Sequence, residues 1–173
     1  MDKDTMSIVE DILNNYPGSL LFVFRNLSKI ERLALWSMSN ILLITSLRDG
    51  QCIPPLEFIS VKKAEKKFDK SNVIMSQFSG CNSALGGILM INPFNIEEIT
   101  KNIDIAMQML PEEREQRLEL AYSFIQNNST QKWAAGFINA LKRHTEPVNK
   151  GEFLSLNKFV GLGLMSTLIR TQN

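Results

Sequence analysis

Short apolar runs alternate with segments of helical pattern along most of this sequence, and this alternation restricts the fold more than any other feature does. A short, continuous apolar run is typical of a strand that is covered on both faces of a parallel sheet. We predict four such strands, within LLFVF (Leu20–Phe24), ILLIT (Ile41–Thr45), NVIMSQFSG (Asn72–Gly80) and GGILMINPFN (Gly86–Asn95), the last two running into turns.

Helix start signals separate these runs. Ser7 with Glu10, and Ser28 with Glu31, have the spacing of capping boxes, and a Pro-Pro pair at Pro54 suits a first helical turn. Further helices are predicted from Asn95 as an N-cap and from Pro111 onward. The first helix is expected to stop at Pro17-Gly18, the second at about Ser37, and the chain from Pro111 to Lys142 to be wholly helical.

The order of these elements predicts the fold class. Strands that alternate with helices indicate an α/β domain with a mostly parallel, partial Rossmann-like sheet, helices on both faces and a closing C-terminal helical section. The lysine-rich stretch KKAEKKFDK, residues 62–70, is expected to be a solvated helix end or loop.

Composition excludes several classes of function. The formal net charge is +1, so no global field favours nucleic acid or an anionic membrane as a partner. One histidine and two cysteines provide no usual metal cluster and no disulfide framework, and we expect no metal and no cofactor. The polar start lacks the pattern of a secretory signal and the apolar tail is shorter than a membrane span, which favours a cytoplasmic protein without a membrane partner.

The stretch SLRDGQCIPPLEF follows the second predicted strand and leads into a helix. Ligands of open α/β sheets lie beyond the carboxyl ends of the strands, beside helix N-termini. Asp49 is a candidate for a sugar hydroxyl, Gly50 permits a close backbone approach, Glu57 lies within reach of neighbouring hydroxyls, and the N–H groups of Gln51, Cys52 and Ile53 are candidates for a phosphate. The alternative is structural, because Asp-Gly is a common turn and a glutamate near a helix start complements the dipole.

Several elements occur together in an order and spacing that resemble the C-terminal half of trehalose-6-phosphate synthases. These are LLITSLRDG with Glu57 eight residues after Asp49, then SQFSGCNSALGGILMINPFNIEEI, EEREQR and QKWAAGFINALKR. The resemblance spans roughly Leu20 to Arg143. It implies a retaining glycosyltransferase of the two-domain GT-B architecture, which transfers glucose from a nucleotide donor, usually UDP-glucose, to glucose 6-phosphate in trehalose biosynthesis.

The resemblance also implies roles for single residues. Asp49 matches the aspartate that contacts the donor glucose, with backbone groups at Gly50 and Gln51 helping. Cys52 and Ile53 match the positions whose N–H groups hold the diphosphate. Glu57 matches the glutamate that binds the ribose hydroxyls.

Departures from the family pattern weaken these expectations. Where the family reads RDGMNLV, this chain reads RDGQCIP, and a second proline, Pro55, removes a further N–H from the helix start. The acceptor site of the family belongs to an N-terminal domain, so this hexosyltransferase-like chain is expected to be a fragment that is inactive alone. A non-catalytic regulatory or scaffolding module is the alternative.

The predicted organisation is a partial nucleotide-sugar-binding domain over residues 1–143 and a C-terminal tail with a helix over residues 144–173. The expected partners are UDP-glucose or another nucleotide sugar, the N-terminal acceptor domain, and a second copy of the chain through the apolar tail. Ser79 and Gly80 are further site candidates from the family's S-x-F-x-G turn. Phe78 and Phe94 are expected to pack the loops, and Trp133 and Phe137 to anchor the C-terminal helices in a core.

Overall fold

A computed structural model of the protein describes residues 3–81 and 84–145. The chain divides into two units, Met1–Tyr122 and Ser123–Asn173, and the first unit holds every strand of the described sheet. The predicted tail over residues 144–173 lies outside the described residues, apart from the end of the last helix. In chain order the elements are α1 (Lys3–Asn15), α2 (Lys29–Met38), β1 (Ile41–Ile44), α3 (Pro54–Ala64), a 3-10 helix (Phe68–Lys70), β2 (Asn72–Ser76), β3 (Leu89–Ile91), α4 (Ile96–Gln108), α5 (Pro111–Asn127) and α6 (Thr130–Thr145).

The three described strands form one parallel sheet in the order β1-β2-β3. Ile41 of β1 is in register with Asn72 of β2, and Ile74 of β2 with Leu89 of β3. All five residues of β2 are buried, because the central strand has a neighbour at each edge and is covered on both faces. The predicted α/β class with a parallel sheet is therefore confirmed.

The core on one face of the sheet lies between β2, β3 and α4. Ile74, Ile91 and Ala106 are buried together, and partly buried aliphatic side chains surround them, namely Ile41, Leu89, Ile99 and Ile103. The buried Asn72 side chain donates to the carbonyl of Ala106 at 2.8 Å. Ala106 lies in the last turn of α4, where carbonyls lack helical partners, so Asn72 joins the end of α4 to the start of β2.

Helices α2 and α3 pack against each other through aromatic and polar contacts. The rings of Trp36 and Phe58 meet edge to face, with ring centroids 6.3 Å apart. Lys62 is fully buried, and its ammonium donates to the carbonyl of Ser37 at 2.9 Å. The expectation that all of the lysine-rich stretch is solvated is therefore wrong for Lys62, which provides a cation at the C-terminal end of α2.

The capping signals place two helices correctly. At α2 the Ser28 hydroxyl accepts from the Glu31 N–H at 3.3 Å, while the Glu31 carboxylate accepts from the Ser28 N–H at 2.9 Å. At α4 the Asn95 side chain accepts from the Glu98 N–H at 3.1 Å. The prediction for α1 is wrong at its start, because the helix begins at Lys3 and Ser7 lies inside it.

Two other sequence predictions are wrong. Residues 20–24 belong to no strand of the described sheet, and Leu21 and Phe24 are exposed. An apolar run indicates burial but specifies no pairing partner, and a strand requires both. On α6, Trp133 and Phe137 stack on each other with ring centroids 5.7 Å apart, yet both side chains are exposed and anchor no core within the described part of the chain.

No helix in the described part of the chain is both long enough and apolar enough to cross a membrane.

The Asn72 contact leads to a prediction about stability. Asn72→Ala leaves the carbonyl of Ala106 without its partner in a buried site, so we expect the free energy of unfolding to fall by about 1 to 3 kcal/mol. Asn102→Ala is the matched control, because the Asn102 side chain donates only to a carbonyl of its own helix, that of Glu98. Urea denaturation of both variants measures the difference, and an equal effect of the two substitutions would contradict this role of Asn72.

Candidate functional site

Three loops leave the sheet at the same edge, because the strands are parallel. Residues 45–53 follow β1, residues 77–88 follow β2 and residues 92–95 follow β3. This edge is the one at which open α/β sheets bind their ligands. The candidate residues Asp49, Gly50 and Gly80 all lie in these loops.

The first two loops are joined through their backbones. Asp49 forms an isolated parallel bridge with Ser79, and the N–H of Gly80 donates to the carbonyl of Asp49 at 3.1 Å. Asp49 is half-buried and Gly50 is exposed. The structure therefore brings two separate sequence signals, the Arg-Asp-Gly element and the S-x-F-x-G turn, into direct contact.

Gly80 is required for this close approach. A Cβ atom built on Gly80 would lie 1.8 Å from the carbonyl oxygen of Gly50, a separation that non-bonded atoms do not adopt. At Gly50 the same construction meets no atom within 4 Å. Any side chain at residue 80 would thus push the two loops apart, whereas residue 50 has room for one.

An open cleft of about 660 Å³ lies along the loop that follows β2. The turn at its start is held by the buried hydroxyl of Ser76, which accepts from the N–H of Phe78 at 3.1 Å. The rings of Phe78 and Phe94 meet edge to face at 6.0 Å and join the second loop to the third. The two phenylalanines thus contact each other across the loops as predicted, although both side chains are exposed. The residues that line the cleft are Gln77, Phe78, Ser79, Gly80, Leu85, Gly86, Gly87, Ile88 and Met90.

Cys52 lies just before α3 with its side chain buried. Burial raises the pKa of the Cys52 thiol to about 11, and the neighbouring Asp49 carboxylate contributes in the same direction. Because the thiolate is the reactive form, this environment disfavours a nucleophilic role for Cys52. The buried thiol of Cys81 donates to the Cys52 carbonyl at 3.4 Å and adds a second link between the first two loops.

The first turn of α3 offers no free N–H group. Pro54 and Pro55 have none, and the N–H groups of Leu56 and Glu57 both donate to the carbonyl of Ile53, at 3.0 and 3.2 Å. An anion at this helix start would therefore depend on N–H groups that precede the helix, in the segment from Gln51 to Ile53. Gln51 and Ile53 are exposed, which leaves this segment accessible.

The carboxylate of Glu57 accepts hydrogen bonds from side chains of α2. Its two carboxylate oxygens accept from Nε and Nη2 of Arg32 at 2.7 and 2.8 Å, and Oε2 also accepts from the indole N–H of Trp36 at 3.3 Å. The Arg32 guanidinium, followed by the Trp36 hydrogen bond, holds the pKa of Glu57 below its usual value against the opposing effect of burial. Glu57 lines a groove between the two helices and does not line the cleft along the second loop.

Arg32 and Trp36, which hold Glu57, are not among the residues predicted for the site. The available signal is their spacing, because residues four apart on a helix share one face. A cation and an indole N–H on that face predict a carboxylate partner, and Glu57 is the partner found.

Among residues 3–81 and 84–145, no group of three histidine, cysteine, aspartate or glutamate side chains is arranged to hold a metal ion.

Comparisons with known proteins agree with one another. A family model, Glycosyltransferase family 20, matches residues 3–143. The probable alpha,alpha-trehalose-phosphate synthase (UDP-forming) 4 of Arabidopsis thaliana is 39% identical over 106 residues, which cover 61% of this chain and 13% of that protein. The alpha,alpha-trehalose-phosphate synthase (UDP-forming) A of Dictyostelium discoideum is 32% identical over 129 residues, which cover 75% of this chain and 17% of that protein.

Solved structures share the fold. The N-terminal domain of the Candida albicans trehalose-6-phosphate phosphatase superposes with a TM-score of 0.72 at 27% identity, over 82% of this chain and 30% of that chain. The E. coli trehalose-6-phosphate structure bound with UDP-2-fluoro glucose superposes with a TM-score of 0.70 at 24% identity, over 81% of this chain and 32% of that chain. The chain thus spans about a third or less of the length of these proteins.

The contact between the first two loops leads to a second prediction. Gly80→Ala forces the backbone at Gly50 to move, so we expect the free energy of unfolding to fall by about 1 to 3 kcal/mol. Gly50→Ala is the matched control because it enters open space in the same contact. Thermal unfolding followed by circular dichroism compares the two, and a loss at Gly50 as large as that at Gly80 would contradict the packing argument.

The Arg32–Glu57 pair leads to a third prediction, about acid stability. Because the folded state lowers the pKa of Glu57, the pair stabilises the fold above the unfolded pKa of about 4.5, and this contribution disappears as the pH falls through the folded pKa. Glu57→Gln and Arg32→Leu should each remove the same part of the dependence. Urea denaturation between pH 3 and 7 measures it. A pH dependence that both variants retain in full would show that other carboxylates are responsible.

Proposed function

Because the chain belongs to glycosyltransferase family 20, the trehalose-6-phosphate synthase family, we propose that it forms the donor-binding part of such a glucosyltransferase and holds UDP-glucose. The acceptor of the complete reaction would be glucose 6-phosphate.

One observation carries this proposal. The Arg-Asp-Gly loop and the turn that ends at Gly80 contact each other at the carboxyl edge of a parallel sheet, directly before a helix. Each element alone is a common turn. Their contact is specific, because it requires a glycine at residue 80, where the backbones of the two loops touch. That edge is the usual ligand site of open α/β sheets.

The residues at this edge suit the parts of a nucleotide sugar. Asp49 is half-buried beside the second loop, where its carboxylate would accept from glucose hydroxyls. The backbone from Gly50 to Ile53 would hold the diphosphate, since the first turn of α3 has no N–H group to spare. Glu57 follows one turn into the helix and would accept from the ribose.

Two comparisons support UDP-glucose as the donor. The Arabidopsis and Dictyostelium relatives are UDP-forming synthases by name. The E. coli structure with the shared fold holds UDP-2-fluoro glucose, a glucose donor analogue in which fluorine replaces a hydroxyl.

We further propose that this chain by itself binds the donor without transferring glucose. This proposal is supported by the resemblance, which implies an acceptor site in an N-terminal domain, and by the relatives, which are several times longer than the part of them that this chain matches.

Isothermal titration of the purified chain with UDP-glucose and with UDP tests the donor site, and Asp49→Ala is the informative variant. It should lower the affinity for UDP-glucose about tenfold, through the loss of a charge-assisted hydrogen bond to the sugar, and leave the affinity for UDP nearly unchanged. Asp69→Ala is the matched control, because Asp69 lies just before β2, at the amino ends of the strands and not at the carboxyl ends where the candidate site lies.

The affinities for UDP and UDP-glucose test both the donor site and the role of Asp49. A folded chain that binds neither ligand would refute the proposed function. Equal losses for UDP and UDP-glucose in Asp49→Ala would show that Asp49 does not contact the sugar.

A further inference from the structure

We propose that Arg32 determines how tightly this chain holds its nucleotide, by occupying the carboxylate of Glu57 that the ribose would otherwise use. This inference rests on the proposed function and concerns the same site. Arg32 acts through Glu57 and is therefore a positioning residue for ligand binding.

The Glu57 carboxylate has few acceptor positions left for a ligand. An ionised carboxylate has about four lone-pair positions. The Arg32 guanidinium fills one on each oxygen, and the Trp36 indole fills a second on Oε2. One position on Oε1 remains, whereas a ribose diol that binds bidentately donates two hydrogen bonds, one to each oxygen. The diol can bind in this way only if a present donor leaves.

Of the two donors to Glu57, Arg32 is the one that can leave. Trp36 is fixed by its contact with Phe58, so its indole cannot turn away without disturbing the packing of α2 on α3. Helix α2 is itself fixed at its start by the capping box at Ser28. Arg32 has a long and flexible side chain, and it can rotate off Glu57 while both helices keep their places.

The Arg32–Glu57 pair is accessible from solvent. The side chains of Arg32 and Glu57 are 36% and 23% exposed, so the pair lies at the edge of the interface between the helices. A ligand can therefore reach the carboxylate from solvent. The bidentate geometry makes the pair stronger than a single-point surface contact, and the ligand must compete against it.

Removal of Arg32 should consequently tighten nucleotide binding. We expect Arg32→Leu to lower the Kd for UDP about tenfold, because the diol gains the hydrogen bond that Arg32 now displaces. Arg32→Lys should give a smaller gain, since a lysine keeps the charge but loses the planar fork. With 2′-deoxy-UDP, whose single ribose hydroxyl fits the one remaining acceptor position, Arg32→Leu should change the Kd little.

The control uses a similar ion pair in the same region. Arg25 binds Glu31 through both terminal nitrogens, at 3.2 and 2.6 Å, and does not contact Glu57. Arg25→Leu therefore removes an arginine from a bidentate pair and should leave the Kd for UDP unchanged. A double-mutant cycle is completed by Glu57→Gln alone and by Glu57→Gln combined with Arg32→Leu. In the Glu57→Gln background, where residue 57 is neutral, Arg32→Leu should no longer lower the Kd for UDP.

The outcomes separate this inference from the proposed function. If the unaltered chain binds UDP and Arg32→Leu binds it equally or more weakly, the inference is wrong and the proposed function stands. If the gain persists with 2′-deoxy-UDP or in the Glu57→Gln background, Arg32 acts by another route and the inference is also wrong. If neither protein binds UDP although both melt cooperatively, the proposed function fails and the inference fails with it.

Discussion

Parallel pairing of β2 with a neighbour at each edge is the constraint on which the rest of this structure depends. A parallel strand buried on both faces must satisfy all its backbone groups within the sheet and must be covered by helices. The five buried residues of β2 meet this demand through β1 and β3, with α4 over one face. Because all three strands run the same way, their loops emerge together, and the candidate site is a consequence of that direction.

The site is assembled mainly by backbone contacts. Asp49 and Ser79 pair as extended chain, and Gly80 is the residue that lets the two loops approach. A site built in this way tolerates changes of side chain at positions that contribute only an N–H group. Under the proposed function, backbone N–H groups would hold the diphosphate, so Gln51 and Cys52 could replace the usual family residues without removing those groups.

Glu57 links the architecture to the proposed chemistry. Its ion pair with Arg32 contributes to the packing of α2 on α3, and the same carboxylate is the group that the family resemblance assigns to the ribose. One carboxylate cannot serve both partners fully. The affinity of this chain for a nucleotide would then reflect competition between an internal contact and a ligand, and not the number of site residues alone.

The sequence by itself determined several elements: the strand at Ile41, the capping box at Ser28 and the cap at Asn95 are local patterns, each readable within a few residues. It did not determine burial, because β1 lies at the edge of the described sheet with Leu42 buried and Leu43 exposed. It did not determine which elements meet. The run at Leu20 has the composition of a strand but no partner in the described sheet. The spacing of Arg32 and Trp36 indicates a shared face, but it does not identify Glu57, 25 residues away, as the carboxylate that meets it. Local propensity depends on neighbours along the chain, whereas pairing, ion pairs and the approach of Gly80 to Gly50 depend on distances through space, and only the tertiary structure fixes those.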